Sequence, residues 1–203
     1  LRILDKKGIF VFQSPYLLNL IKNTEYDTIY HEHVCYLSIT PLKKFFKKFN
    51  MEIFDIDYVD IDGGSIRCYV SKRGTYRVKK IVDKYLLKEK EFGLHTITRL
   101  KEFSKKVEKQ RTSLNKLLEQ IKNNNKQVVG LSAPAKGVIL LNYCKIGNKI
   151  LDYVTEKSKL KIGKLIPGMQ IPVKSDDYLI KDNPDYALIL AWNFSKEIIQ
   201  NLD

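Results

Sequence analysis

The sequence predicts an α/β protein in which two segments of strands and helices flank a helical middle. Strand-like apolar runs that end at turn residues occur near both ends of the chain, as in residues 9–12 before Ser14-Pro15. Between residues 77 and 123, apolar side chains recur at three- and four-residue steps, which is typical of amphipathic helices. Apolar residues make up 44% of the 203 residues, enough for a packed core.

The first segment contains three predicted strands. They cover residues 9–12, 53–59 and 65–70, and the last two join around Asp62-Gly63-Gly64. Paired glycines favour a tight turn, although they would also let a ligand approach the backbone closely. The turn is the simpler interpretation.

A helix and a β-favouring run complete the first segment. Thr40-Pro41 predicts a helix start, with Thr40 as N-cap and proline at the first helical position. Residues 26–30 are rich in β-favouring side chains and lead into a cluster of reactive groups. In the helical middle, Gly93 predicts a break between two helices.

The second segment alternates strands with helices. Strands are predicted at residues 127–132, 150–154 and 186–191, with a loop at 163–168 and a closing helix. This rhythm predicts a parallel, Rossmann-like sheet.

Composition excludes several classes of protein. The net charge is +13, but arginine, which is preferred for forked contacts to phosphates and bases, supplies six of the 36 basic residues, so we expect no nucleic-acid partner. No apolar run approaches membrane-spanning length, so we expect no membrane association. Cys35, Cys68 and Cys144 are too few and too widely spaced for disulfides, which favours a reduced, cytoplasmic setting. A basic nucleic-acid-binding module remains an alternative that steep salt dependence would reveal.

Residues 30–33, Tyr-His-Glu-His, form the densest group of reactive side chains. If this segment is extended, residues two apart share a face, so His31, His33 and Cys35 would point to one side. Three hypotheses stay open: a polar strand end, a metal site without an obvious fourth ligand, and an acid/base site built on a near-neutral imidazole.

A second candidate site follows the predicted strand at 127–132. Small residues from Ser132 to Gly137 open a helix, where backbone N–H groups and the helix dipole favour an anion. Lys136 could pair with that anion or be a solvated surface lysine. Glu156, at the end of the next strand, stands where Rossmann folds place an acid for ribose hydroxyls. Trp192-Asn193 could rim the same crevice or serve packing alone.

Several strings, in this order, resemble the sugar C-methyltransferases of deoxysugar biosynthesis. The matching residues are 10–16 (FVFQSPY), 26–33 (YDTIYHEH), 63–67 (GGSIR), 133–137 (APAKG), 141–144 (LNYC), 163–168 and 192–193 (WN). Their joint occurrence spans nearly the whole chain. The sequence departs from the family at Asp62, where histidine is usual, and at Glu156, where aspartate is usual.

The resemblance implies a domain arrangement and a cofactor. Residues 1–75 would be the C-terminal part of an S-adenosylmethionine-dependent methyltransferase domain, residues 76–125 a helical connector, and residues 126–203 a Rossmann-like domain for the nucleotide sugar. The family's zinc module and glycine-rich cofactor loop are absent from this sequence, so we expect an N-terminal half, in a longer chain or a partner chain, to supply them.

The resemblance also implies roles for individual residues. A base removes a proton beside the ketone of a nucleotide-linked keto-sugar, and the enolate attacks the sulfonium methyl. His33 would be the base, with Tyr30 and Glu32 orienting the substrate or stabilising the enolate. The implied substrate-binding residues are Ser132, Ala133, Lys136, Gly137, Glu156 and Gly168, and no metal ligand is assigned. The alternative is a non-catalytic fragment that binds the nucleotide sugar.

Overall fold

The computed structural model describes residues 4–61 and 63–200 and divides the chain into two compact units. The first unit comprises residues 1–25 and 33–105, and the second comprises residues 26–32 and 106–203. The predicted domain boundaries at residues 75 and 125 stay a prediction, because compactness does not reveal which domain of a larger enzyme a strand belongs to.

The first unit is built on an antiparallel sheet. Its elements are β1 (Phe10–Pro15), α1 (Leu17–Asn23), α2 (Ile39–Lys48), β2 (Met51–Val59), β3 (Ser65–Lys72) and α3 (Lys80–Phe92). The strand order is β1-β3-β2, with β3 in the centre. The alternate residues Ile66, Cys68 and Val70 of β3 are fully buried, and they place the core on one face of the sheet.

The second unit is built on a parallel sheet. Its elements are a 3₁₀ helix (Tyr26–Thr28), the later part of α4 (Ile97–Asn123), β4 (Val128–Leu131), α5 (Ala135–Cys144), β5 (Val154–Glu156), β6 (Val173–Ser175), α6 (Asp176–Asp182), β7 (Tyr186–Ile189), a 3₁₀ helix (Trp192–Phe194) and α7 (Ser195–Gln200). The strand order is β6-β5-β4-β7, and every neighbouring pair is parallel. The predicted α/β class is therefore confirmed. Within residues 4–61 and 63–200, no helix is long and apolar enough to cross a membrane.

Residues 26–30 differ from their β-favouring composition. Tyr26–Thr28 is a 3₁₀ helix, closed by a hydrogen bond from the N–H of Ile29 to the carbonyl of Tyr26 (3.0 Å), and His31 and Glu32 lie in a turn. The alternating face predicted for His31, His33 and Cys35 is therefore wrong. The side chains of Tyr26, Asp27 and Thr28 are all buried, and this tertiary packing overrides a weak local propensity.

Other local predictions need smaller corrections. The N-cap of α2 is Ser38, not Thr40, which lies inside the helix. The predicted strand at 150–154 begins only at Val154, because Gly130 pairs with Val154 and the N–H groups of Ile150 and Leu151 close a turn on Gly147 instead. Strand β6 and helix α6 were not predicted, since elements of three and seven residues show little periodicity.

Two predictions that rest on glycine are confirmed. Gly93 ends α3 in a left-handed conformation. Gly63 and Gly64 have φ values of 81° and 107°, as a tight turn between β2 and β3 requires. Asp62, the remaining member of that turn, lies outside the described residues.

Candidate functional site

The parallel sheet of the second unit has a topological switch point. The chain runs from β4 to β5 and β6 on one side, then returns to β7 on the other side of β4. In open parallel sheets, ligands bind in the crevice at the carboxyl ends of the strands beside such a point. Ser132 and Ala133 follow β4 at this edge, and Glu156 ends β5 there. Lys136 and Gly137 lie in the first turn of α5, so five of the six predicted substrate-binding residues meet at one edge.

Ser132 holds an unusual backbone conformation at this edge. Its φ is 68°, in the left-handed region that L-residues with a side chain rarely adopt. Such conformations concentrate at ligand sites, where the surrounding structure enforces them. The bend sends the chain from β4 to Pro134, the N-cap of α5, which has no side-chain group to cap the helix. The first N–H groups of α5 therefore receive no capping bond from the side chain of the N-cap residue.

Glu156 organises the turn after β4. One carboxylate oxygen accepts hydrogen bonds from the N–H of Ala133 (3.3 Å) and from Lys161 (3.1 Å). The other accepts from the N–H groups of Lys157 (2.9 Å) and Ser158 (3.2 Å). Burial raises the pKa of Glu156, but these hydrogen bonds and the Lys161 charge outweigh it and leave the pKa below its ordinary value.

These four bonds fill the lone-pair positions of the Glu156 carboxylate. A ribose hydroxyl could bind there only if one of the bonds opened. The predicted role of Glu156 as a ribose ligand therefore stays a prediction, and its visible role is to hold the loop after β5 against the loop after β4.

Lys136 is positioned by two residues that follow β7. Its ammonium donates a hydrogen bond to Oδ1 of Asn193 (2.8 Å) and lies 4.8 Å from the centre of the Trp192 ring. Both partners are neutral, so they orient the positive charge of Lys136 without neutralising it, and the buried Asp27 carboxylate lies close enough for that charge to lower its pKa. An oriented ammonium next to the start of a helix favours an anion such as a phosphate.

The two glycines of the predicted site have different roles. A Cβ on Gly137 would lie 2.9 Å from Cβ of Leu190, so glycine allows α5 to pack closely on the end of β7. Gly168 lies apart from the edge, beside Asn142 in the last turn of α5. Its φ is 80°, and a Cβ there would lie 2.1 Å from Oδ1 of Asn142, whose amide donates to the carbonyl of Pro167 (3.0 Å). The contacts of Gly168 are those of a loop anchor.

A cleft of about 480 Å³ opens at the same edge of the sheet. Its apolar lining is formed by Leu131, Leu179, Ile180, Ala191, Phe194 and Ile198. Its polar lining is formed by Ser132, Thr155, Glu156, Lys157, Asp176, Asp177 and Glu197. Because four carboxylates face one ammonium, the cleft favours a base or hydroxyl-bearing group over a phosphate, which would be repelled.

The predicted catalytic residues divide between the two units. Tyr30 and Glu32 belong to the second unit, where the Tyr30 ring lies 6.4 Å from the ring of His31. His33 belongs to the first unit, is half-buried, and lies edge-on to Tyr36 at 6.3 Å. Glu32 is exposed. Their catalytic roles stay predictions.

The metal hypothesis for His31, His33 and Cys35 receives no support from the geometry. Within the part of the chain that the structure describes, no three His, Cys, Asp or Glu side chains come close enough to hold a metal ion.

Sequence reasoning missed Asp27, which is 3% exposed and accepts a hydrogen bond from the indole N–H of Trp192 (2.6 Å). A charged residue inside the run from Tyr26 to Tyr30 was a signal of this role, because an acid among apolar side chains is buried only with partners. Trp192 was considered for the rim of the crevice, and the structure places it beside Lys136.

The sheet order, the oriented Lys136 and the cleft together define a Rossmann-like domain with a candidate ligand site at its carboxyl edge. Residues 60–203 match the family model of the C-methyltransferase C-terminal domain. Over 200 residues the chain is 34% identical to the C-methyltransferase NovU of Streptomyces niveus, an alignment that covers 98% of this chain and 48% of that protein. The chain therefore belongs to the C-methyltransferase C-terminal domain family, and it spans about half the length of this curated relative.

Proposed function

We propose that this chain serves a C-methyltransferase, which moves a methyl group from S-adenosylmethionine to a carbon next to the ketone of a nucleotide-linked keto-deoxysugar. Family membership supports the reaction class. The observation that carries the proposal for this chain is the oriented ammonium of Lys136 in the first turn of α5. It offers a binding site for the diphosphate that a nucleotide sugar carries.

The nucleotide sugar would bind with its phosphates outside the acidic cleft. Lys136 and the first N–H groups of α5 would hold the diphosphate by charge-assisted hydrogen bonds. The cleft beside Leu131 and Ser132 would take the nucleoside, whose base and hydroxyl groups suit an apolar wall with carboxylate acceptors.

His33 would act as the general base. The ketone acidifies the neighbouring C–H, the imidazole takes that proton, and the electron pair of the broken bond moves onto the ketone oxygen to form an enolate. Imidazole is the side chain that most often serves as a general base, because its neutral form carries a free nitrogen lone pair that can accept a proton. Tyr30 and Glu32 would orient the substrate or stabilise the enolate.

The site at the carboxyl edge of the parallel sheet does not fit S-adenosylmethionine. The turn after β4 is Ser-Ala-Pro-Ala-Lys, without the glycines that let a cofactor approach, and the lone pairs of Glu156 are already engaged. We assign no step of methyl donation to these residues. A non-catalytic nucleotide-sugar-binding fragment is the alternative, and a test for methyl transfer from S-adenosylmethionine by the enzyme that contains this chain separates the two.

The phosphate site is tested by replacing Lys136 with Met, which keeps most of the length of the side chain and removes its charge. We expect the variant to bind a nucleoside diphosphate about tenfold more weakly in calorimetry, since a charge-assisted hydrogen bond contributes about 1.5 kcal/mol or more. Lys164→Met, which removes an exposed lysine from the same unit, is the matched control. Equal affinity of wild type and Lys136→Met would refute the site.

The base is tested in the methyl-transferring enzyme that contains this chain. His33→Asn should abolish exchange of the acidic sugar hydrogen with deuterated solvent, whereas His31→Asn, two residues away, should preserve it. Unchanged exchange in His33→Asn would remove this residue from the role of base.

A further inference from the structure

Asp27 is a buried acid three residues before Tyr30. Its 3₁₀ helix is fixed on α5 by Tyr26, whose ring lies 5.1 Å from the ring of Tyr143 and whose hydroxyl lies 3.4 Å from Sγ of Cys144. The Asp27 carboxylate is 3% exposed and accepts the indole N–H of Trp192 at 2.6 Å. A hydrogen bond to a buried carboxylate is charge-assisted and is costly to leave unmade.

Trp192 connects its hydrogen bond with Asp27 to the turn at the start of α5, where Lys136 is proposed to bind a phosphate. It begins the 3₁₀ helix after β7, and its ring lies beside the Lys136 ammonium, which Asn193 holds from the next position. Asp27 therefore fixes the N–H edge of the indole, while the face of the indole contacts Lys136, the residue proposed to bind the phosphate. These residues all belong to the second unit.

We infer that Asp27 and Trp192 are positioning residues, which couple the segment carrying Tyr30 and Glu32 to ligand binding at Lys136. The inference rests on the proposed function, because it assumes that Lys136 binds the diphosphate. Neither residue touches the reacting atoms. They act by fixing the distance between the phosphate site and the reactive segment.

The length of the connection makes this coupling short-range. Tyr30 follows Asp27 by three positions in the chain, so their Cα atoms are at most about 11 Å apart. Burial raises the pKa of Asp27, whereas the hydrogen bond from Trp192 and the charge of Lys136 lower it. A phosphate that draws the Lys136 ammonium away from the Trp192 ring would thus change the charge that acts on Asp27.

Nuclear magnetic resonance of the 203-residue chain can follow both ends of the coupling. Trp192 is the only tryptophan, so its indole N–H gives a single side-chain signal. Inorganic pyrophosphate is the probe. We expect it to shift the indole signal and the backbone amides of Gly137, Tyr30 and Glu32 with one dissociation constant.

Trp192→Phe keeps an aromatic ring and removes the N–H donor. In this variant, pyrophosphate should still shift Gly137, bind about fivefold more weakly, and leave the amides of Tyr30 and Glu32 unmoved. Asp27→Asn keeps a neutral acceptor and should retain part of the response. Asp152→Asn, which removes an exposed ion pair with Lys122 in the same unit, should behave as wild type.

A full response of Tyr30 and Glu32 in Trp192→Phe overturns the inference, as does a wild type in which pyrophosphate moves Gly137 alone. Should pyrophosphate leave Gly137 of the wild type unmoved, the proposed phosphate site fails instead. The coupling is then decided without ligand, by whether Trp192→Phe shifts the amides of both Gly137 and Tyr30. If circular dichroism shows that Asp27→Asn is unfolded, the response of Trp192→Phe alone decides whether the two sites are coupled.

Discussion

The two units each bury an acid, and they use it differently. In the first unit, Glu89 of α3 is 0% exposed and receives hydrogen bonds from the N–H of Ile39 (2.5 Å), from the N–H of Thr40 (2.8 Å) and from the hydroxyls of Thr40 (2.5 Å) and Tyr16 (3.0 Å). In the second unit, Asp27 accepts a hydrogen bond from the indole N–H of Trp192, which follows β7 at the carboxyl edge of the parallel sheet.

The difference lies in what the donors belong to. Two of the groups that donate hydrogen bonds to Glu89 are backbone N–H groups at the start of α2, which α2 cannot satisfy by itself. Glu89 therefore caps a helix from outside it, and burial together with the Glu89 charge raises the pKa of the Tyr16 phenol, so that it stays a donor. The partner of Asp27 is a side chain that also contacts Lys136. Glu89 therefore completes the hydrogen bonding at a helix start, whereas Asp27 bonds to a side chain that also contacts Lys136.

The largest effect is expected for Glu89→Ala. It would leave the first N–H groups of α2 and the Tyr16 hydroxyl without their acceptor, and unsatisfied buried donors cost about 1–3 kcal/mol each. We expect the free energy of unfolding to fall by roughly 3–5 kcal/mol in urea titrations. Glu91→Ala, an exposed position two residues along the same helix, should stay within about 0.5 kcal/mol of wild type. A similar small loss for Glu89→Ala would show that the cap is dispensable.

An intermediate effect is expected for Glu156→Gln at the ligand edge. The pKa of Glu156 is lowered in the folded protein, so its stabilisation is present above the ordinary glutamate pKa of 4.5 and is lost as the pH falls through the folded pKa. The variant should be about 1 kcal/mol less stable at pH 7. Unfolding curves of the two proteins should converge in acid. A difference that persists unchanged at low pH would mean that the charge of Glu156 is irrelevant to stability.

The smallest effect, and one of opposite sign, is expected for Asp27. Its pKa is raised above 3.8 on folding, so the folded state binds its proton more tightly than the unfolded state does. Stability then decreases as the pH rises from 3.8 through the raised pKa. The stability of Asp27→Asn relative to wild type should therefore increase with pH across that window. Denaturant titrations at several pH values measure it, and a relative stability that falls with pH would contradict the raised pKa.

Much of the fold follows from local sequence. The apolar runs of β4 and β7, the three- and four-residue steps of α3 and α4, and the break at Gly93 each depend on residues near in sequence. The predictions that failed concern segments whose conformation depends on distant partners. Tyr26–Thr28 is helical because α5 receives its side chains, and β5 begins where β4 offers a neighbour.

The sequence predicted which residues lie at the candidate site, but it did not predict the hydrogen bonds that join them to distant residues. Strand ends and a helix start placed Ser132, Lys136 and Glu156 at one edge, because topology alone brings them together. Glu89 was not singled out from the sequence, although its spacing from Val82 and Tyr85 puts it on the apolar stripe of α3. The pairing of Asp27 with Trp192, 165 positions away, has no local signal.

The conformation of Ser132 also constrains how the family can vary. A residue with φ of 68° tolerates glycine, asparagine or aspartate readily, whereas β-branched side chains are strongly disfavoured there. Across an alignment of homologues, valine, isoleucine and threonine should therefore be rare in this column, even where the neighbouring strand is rich in them.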